Sequence, residues 1–121
     1  MTLSDSSALL LHNPACSKSR AAKAWLDEQG LTYTERLYLE HPLDTDELAE
    51  LGQLLGLPLR DWIRKGEDAY QACALSADSS EEQLTKAICE HPVLLERPIV
   101  VHAGHAAIGR PLELVSALFT R

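Results

Sequence analysis

Ala8-Leu9-Leu10-Leu11-His12-Asn13-Pro14-Ala15-Cys16-Ser17-Lys18-Ser19-Arg20 is the stretch on which the fold turns. Its first four residues are wholly apolar, which is how a strand buried on both faces reads. His12-Asn13-Pro14 breaks the run as a turn. From Ser17 onward Ala21, Ala22, Trp25, Leu26 and Gln29 fall at helical spacing, and Gly30 sits where a helix ends. Between Leu31 and Leu39 the apolar residues Leu31, Tyr33, Leu37 and Leu39 share one face of a second strand. Strand, helix and strand within about 30 residues have the length of a βαβ unit.

The pattern then changes. Asp44 with Glu47 predicts a capping box, and Leu48, Leu51, Leu54 and Leu55 make an apolar helical stripe that closes at Gly56. Pro58 can open a short helix that carries Trp62 and Ile63 and stops at Gly66. A third helical piece is expected over Asp68 to Ala74. A fourth starts at the capping box Ser80-Glu81-Glu82-Gln83 and runs to His91, before Pro92. No strand is expected between Pro42 and Pro92, so residues 43–92 read as an all-helical insertion. Strand character returns at Ile99-Val100-Val101-His102 and Ala106-Ala107-Ile108, flanking Ala103-Gly104 as a hairpin. Pro111 to Leu118 is expected to form a closing helix. The predicted fold is therefore α/β: βαβ, a helical block, then ββα on a mixed sheet. That order resembles the thioredoxin arrangement, in a single domain over residues 1–121.

Composition bounds the rest. The 121 residues are 45% hydrophobic and 24% charged, an ordinary globular balance. No apolar run approaches the roughly 18 residues of a spanning helix, and the polar start MTLSDSS has no basic region of a signal peptide. A cytoplasmic protein with no membrane association is expected. Eighteen acids against eleven Lys and Arg give a net charge of −7. No basic stripe interrupts that excess, so nucleic acid is not expected as a partner. Cys16, Cys73 and Cys89 form no C-x-x-C pair and read as thiols rather than a disulfide framework.

Of the three, Cys16 has the setting of a reactive residue. It follows the first strand and opens the first helix, where ligands bind in open α/β sheets and free amide N–H groups favour anions and thiolates. Ser17 and Ser19 can offer hydroxyls to the sulfur or to a bound oxyanion, and His12 and Arg20 add positive or polarisable character. A buried structural cysteine is the plain alternative, but core cysteines rarely lie in so polar a loop. His102, His105, Cys89 and His91 are zinc-ligand types without a convincing spacing. Trp25 and Trp62 fit apolar stripes and read as packing residues. No flavin, nucleotide or metal motif is present, so no bound cofactor is expected.

His12-Asn13-Pro14-Ala15-Cys16-Ser17-Lys18-Ser19-Arg20, with Arg64-Lys65, Arg97-Pro98-Ile99-Val100-Val101 and Gly109-Arg110-Pro111, resembles the ArsC family of glutaredoxin-dependent arsenate reductases. The resemblance spans Leu10 to Leu118. It implies a thioredoxin-like fold, Cys16 as the nucleophile toward arsenate, and Arg64, Arg97 and Arg110 as holders of the oxyanion. It also implies that His12 favours the thiolate, that Ser19 assists the cysteine, and that Pro98 occupies the cis-proline position. Glutathione as co-substrate and glutaredoxin as partner follow from the same likeness. Ser17-Lys18 stands where the best-known members carry Gly-Thr, as in a subgroup of ArsC-like proteins. Spacing alone would leave the three arginines as solvent-facing side chains and the Pro98 bond trans. Arginine nevertheless suits the task, because its planar, permanently charged fork matches tetrahedral oxygens and offsets repulsion between thiolate and anion. Two other readings stay open: a thiol oxidoreductase of another substrate, and an Spx-like transcriptional regulator. Such regulators generally carry C-x-x-C where this chain has Cys16-Ser17-Lys18-Ser19.

Overall fold

At the centre of the sheet lies β1 (Ala8–His12), buried at every position. The computed structural model describes residue 3 and residues 8–119; residues 1, 2, 4–7, 120 and 121 lie outside it, with most of the polar amino terminus and Arg121. Beside β1, β2 (Thr34–Leu37) runs parallel and β3 (Ile99–His102) antiparallel, and β4 (His105–Ile108) pairs antiparallel with β3. The order is β2-β1-β3-β4, a mixed sheet as the sequence predicts.

Side-chain alternation in β1 and β3 splits the core in two. Leu9, Leu11, Ile99 and Val101 face a helical block formed by α2 (Thr45–Leu55), α3 (Asp68–Ala72) and α4 (Glu81–Glu90). Leu10 and Val100 face Ala22 and Leu26 of α1 (Ser17–Glu28) and Val115 of α5 (Glu113–Ser116). Burial on both faces is why β1 reads as an unbroken apolar run. The capping boxes at Asp44/Glu47 and Ser80/Gln83 both form, and α2 ends at Gly56 with φ +69°.

Several boundaries differ from expectation. β2 is shorter than residues 31–39 because its ladder is limited to Leu9–His12 of β1, and the chain turns at once as Glu40 and His41 N–H donate to the Leu37 carbonyl. The expected helix after Pro58 is one 3-10 turn, Leu59–Asp61. Ile63 instead bridges antiparallel to Leu95, and Arg64 N–H and Glu96 N–H donate to the Leu94 and Trp62 carbonyls at 2.7 and 3.1 Å. Those long-range bonds occupy groups that a helix would have used internally. α3 stops at Ala72, just before Ala74 takes φ 57°. α5 is a single turn continued by a 3-10 turn, Ala117–Phe119. The hairpin places positive φ at both Ala103 (50°) and Gly104 (80°), the geometry that matches strand twist.

The edge strand β2 is tied to the helical block by Arg36. Its guanidinium grips Glu47 at 2.5 and 3.0 Å and also donates to the His41 and Pro42 carbonyls. Arg36 holds the Glu47 carboxyl below its ordinary range, helped by the capping N–H of this same box and opposed by burial. A depressed carboxylate stabilises the fold above its unfolded pKa and loses that contribution as pH falls through the folded value. Arg36→Ala is therefore expected to cost about 1–3 kcal/mol at neutral pH, because it strips a two-pronged charge-assisted contact. Thermal unfolding at pH 7 and pH 3 checks this, and the variant should lose less on acidification than the parent.

Candidate active site

The sheet topology gathers distant segments at one edge. The carboxyl end of β1 lies beside the carboxyl end of the parallel β2 and the amino end of the antiparallel β3. Ile99 in turn pairs with Ile108, so the carboxyl end of β4 arrives at the same edge. The loop Asn13–Cys16, Tyr38, Arg97-Pro98 and Gly109-Arg110 are thus brought together by strand pairing. Arg64 reaches this edge by the Ile63–Leu95 bridge, which lays it alongside the segment leading into Arg97.

The cysteine loop is held from within. Cys16 N–H donates to the Asn13 carbonyl at 3.0 Å, and Ala15 N–H donates to Asn13 Oδ1 at 3.0 Å. Arg20 Nη1 donates to the Pro14 carbonyl at 2.8 Å, so it braces the loop from outside. Cys16 is the N-cap residue of α1, in extended backbone conformation. Burial pushes its thiol up. The N–H groups of Ser19 and Lys18, the Arg97 charge and the Arg110 guanidinium outweigh that burial and hold the thiol below its ordinary value. Arg110 Nη2 lies 3.9 Å from the sulfur, while its Nε donates to the Arg97 carbonyl at 2.9 Å.

The hydroxyl of Ser19, expected to serve the sulfur or a bound oxyanion, is engaged inside the fold. Ser19 is completely buried, and its Oγ pairs with His12 Nδ1 at 2.6 Å and accepts from Asn13 N–H at 3.0 Å. His12 shares the face of Leu10, the face on which α1 packs, which is why the two side chains meet. Burial is the main cause that lowers the His12 pKa, with Lys23 and Arg20 in the same direction and Glu35 opposed. Burial thus favours the neutral imidazole of His12 over its cation. What the His12–Ser19 pair supplies is a fixed loop, and through it the aim of the Ser19 amide.

The arginines are unequal. Arg64 pairs with Glu67 at 2.6 Å and donates to the Val93 carbonyl at 3.3 Å. Arg97 touches Glu96 at a loose 3.4 Å, and its buried Nε has no partner. Arg110 is exposed and turned to the sulfur. Both the Arg97–Pro98 and Arg110–Pro111 bonds are cis, the second unanticipated from sequence. At Gly109 an added Cβ would meet Pro98 Cγ at 2.8 Å, so only glycine lets the Arg110 segment lie so close to Pro98.

A match to the family model described as the ArsC family covers residues 11–118. The chain belongs to the ArsC family. Among its relatives, an arsenate reductase of Neisseria meningitidis is 43% identical over 111 residues, covering 90% of this chain and 95% of that one. An arsenate reductase of Escherichia coli is 36% identical over 111 residues, 91% of this chain and 79% of the relative. A solved structure described as an arsenate reductase from Vibrio cholerae superposes with a TM-score of 0.89 at 42% identity, covering 93% of this chain and 97% of that one. The ArsC thioredoxin-like fold read from the sequence is the fold of these neighbours.

Other sequence candidates fall elsewhere. His102 stacks on Phe119 with ring centroids 4.2 Å apart, and Trp25 packs on that ring at 5.7 Å. No cluster of three His, Cys, Asp or Glu suited to a metal occurs among the described residues. Trp62 is core. Cys73 and Cys89 are free thiols packed at the helical block's core. Sequence reasoning missed Glu67 and Glu96, which pair with Arg64 and Arg97, while the free amides it expected at the start of α1 are those of Lys18 and Ser19. It also missed Tyr38, the buried phenol beside this ArsC loop.

Because all three cysteines are partly exposed, access alone does not rank them. Alkylation of Cys16 is expected to reach half its maximal rate below pH 8.5, the approximate value of a free thiol. Arg110→Ala should move that midpoint upward, since a group that favours the thiolate is lost. Rate measurements between pH 5 and 9 with peptide mapping check both shifts.

Proposed function

We propose that this protein is an arsenate reductase that acts with glutathione and glutaredoxin in the cytoplasm. The observation that carries the reading is a partly exposed cysteine at a helix amino terminus, with Arg110 3.9 Å from its sulfur and the Arg97 charge acting on it. A thiolate ringed by permanent cations suits attack on a tetrahedral anion. The relatives named arsenate reductase along nearly the whole chain support arsenate as that anion.

In the first step Cys16 Sγ bonds to arsenic, and an arsenic–oxygen bond breaks to release hydroxide. Arg64, Arg97 and Arg110 offset the charge of thiolate and arsenate, which near pH 7 carries between about one and two negative charges. A glutathione thiolate then bonds to Cys16 Sγ. The sulfur–arsenic bond breaks, and its electron pair stays on arsenic, reducing arsenic(V) to arsenic(III). The mixed disulfide is reduced by a second glutathione through glutaredoxin, restoring the thiol and yielding glutathione disulfide. Electrons come from the co-substrate, with no bound cofactor in the route.

Arsenite formation under three donor regimes tests this: glutathione with glutaredoxin, thioredoxin with its reductase, and no thiol. The first regime should dominate, and Cys73→Ser and Cys89→Ser should retain most of that activity. Turnover driven by thioredoxin and lost with either substitution would replace the glutathione route with an internal disulfide relay. A reactive Cys16 without arsenite in any regime would point to another thiol substrate.

A further inference from the structure

Tyr38 stands one residue beyond β2, where Leu37 pairs with His12, and so beside the loop that carries Cys16. Its side chain is completely buried. Among the described residues, the buried side-chain nitrogen and oxygen atoms without a hydrogen-bond partner are Tyr38 Oη and Arg97 Nε. An unpartnered buried polar atom is costly, so a pair of them at one place calls for a physical reason.

The surroundings supply one. The charged groups that act on the phenol are the Arg97 and Arg64 guanidiniums and the Cys16 sulfur. Guanidiniums are donors only. The Asn13 side chain acts on the phenol too, but closes no hydrogen bond in the geometry of the site. Among the described residues, the hydroxyl hydrogen and the Nε–H therefore close no hydrogen bond to an acceptor. A tetrahedral oxyanion brings such acceptors. Burial keeps the phenol protonated, with its pKa raised above the ordinary value, so it remains a donor throughout the neutral range.

We propose that the Tyr38 hydroxyl is a direct oxyanion ligand: when the anion enters and displaces the side chains that cover the hydroxyl, the hydroxyl donates to one anion oxygen in company with Arg97 Nε–H. This rests on the oxyanion reading of the Cys16 site given above. It adds a neutral donor to a site that otherwise works through charge. It also gives the anion a contact on the side of the helical block, away from the Arg110 contact at the sulfur. Tyr38 is then a substrate-binding residue rather than a mere core aromatic.

Tyr38→Phe tests the idea, because the ring buried in the core on the side of the helical block is kept and the hydroxyl alone is lost. Calorimetric titration of the full chain with arsenate, and separately with unreactive phosphate, is expected to show affinity weakened by about tenfold or more. In anion-free buffer the variant should melt at or above the parent's temperature, since an unsatisfied hydroxyl has been removed. Anion affinity equal to the parent's would overturn the proposal. A clearly lower melting temperature without anion would also overturn it, since it would reveal an internal partner for the hydroxyl. If the variant does not fold, the parent decides: with 13C-labelled tyrosine Cζ, the Tyr38 resonance should move on phosphate addition while Tyr33 and Tyr70 stay. A stationary Tyr38 resonance in a chain that binds phosphate contradicts the assignment. A parent chain that binds neither anion removes the oxyanion reading itself, and Tyr38's role with it.

Discussion

Arsenite formation is expected to fall by on the order of 10⁴-fold or more when Cys16 is replaced by Ser, as it does when an enzyme loses the nucleophile through which its reaction runs. Serine is close in size and can accept the same Lys18 and Ser19 N–H groups. Its hydroxyl stays protonated at neutral pH, however, and cannot form the disulfide whose formation delivers two electrons to arsenic. Fold and anion binding should survive, because Cys16 is a cap residue outside the two core clusters. Arsenite assay beside phosphate titration separates the effects: activity lost, affinity kept within a few-fold. A variant with measurable turnover would mean that the electrons pass elsewhere.

The second large effect belongs to the arginines. Arg97→Ala and Arg110→Ala are each expected to lower kcat/KM for arsenate by about 10- to 150-fold, the loss of one charge-assisted contact of 1.5–3 kcal/mol. Lysine at either position should recover only part of this, because the fork is gone. Arg97→Ala should leave stability nearly unchanged, since its Nε has no partner and its Glu96 contact is loose. Arg64→Ala mixes binding with structure, because Arg64 also holds Glu67 and the Val93 carbonyl. Arg36 makes a poor neutral control for the same reason, since its guanidinium ties β2 to α2. Exposed Arg60, with a long 3.4 Å contact to the Ala77 carbonyl, is the better one. Equal losses at Arg60, Arg97 and Arg110 would remove the case for a built anion site.

What could be read from the chain alone follows the range of the interactions. Cys16 was legible because everything that marks it is local: a buried strand before it, a turn, and a helix start within one turn of the sulfur. The capping boxes and the hairpin are equally local and emerge as read. Arg64 was not legible from spacing, because its place depends on Ile63 meeting Leu95 far along the chain. That same pairing turns the helix expected after Pro58 into a single 3-10 turn, although Pro58, Trp62 and Ile63 look helical by themselves. Arg64, Arg97 and Arg110 came as a set only through likeness to the ArsC family. Tyr38 escaped notice because it falls out of phase with Leu37 and Leu39 on the strand pattern. A lone aromatic there reads as core, and only its unpartnered hydroxyl and charged neighbours suggest otherwise. Sequence distance alone lets the Ser19 hydroxyl serve the sulfur or a bound oxyanion, whereas α1 turns it inward to His12 and the Asn13 N–H, and the Ser19 amide faces the sulfur.

The central claim is that Cys16 alone forms the arsenic adduct and that an external thiol resolves it. A single-turnover reaction tests it most directly. The Cys73→Ser, Cys89→Ser chain is mixed with arsenate and excess glutathione, without glutaredoxin, and arsenite and protein mass are followed together. We predict one arsenite per chain and one glutathione in disulfide linkage at Cys16, with further turnover only after glutaredoxin is added. A chain that forms no arsenite while Cys16 remains alkylatable would contradict the account.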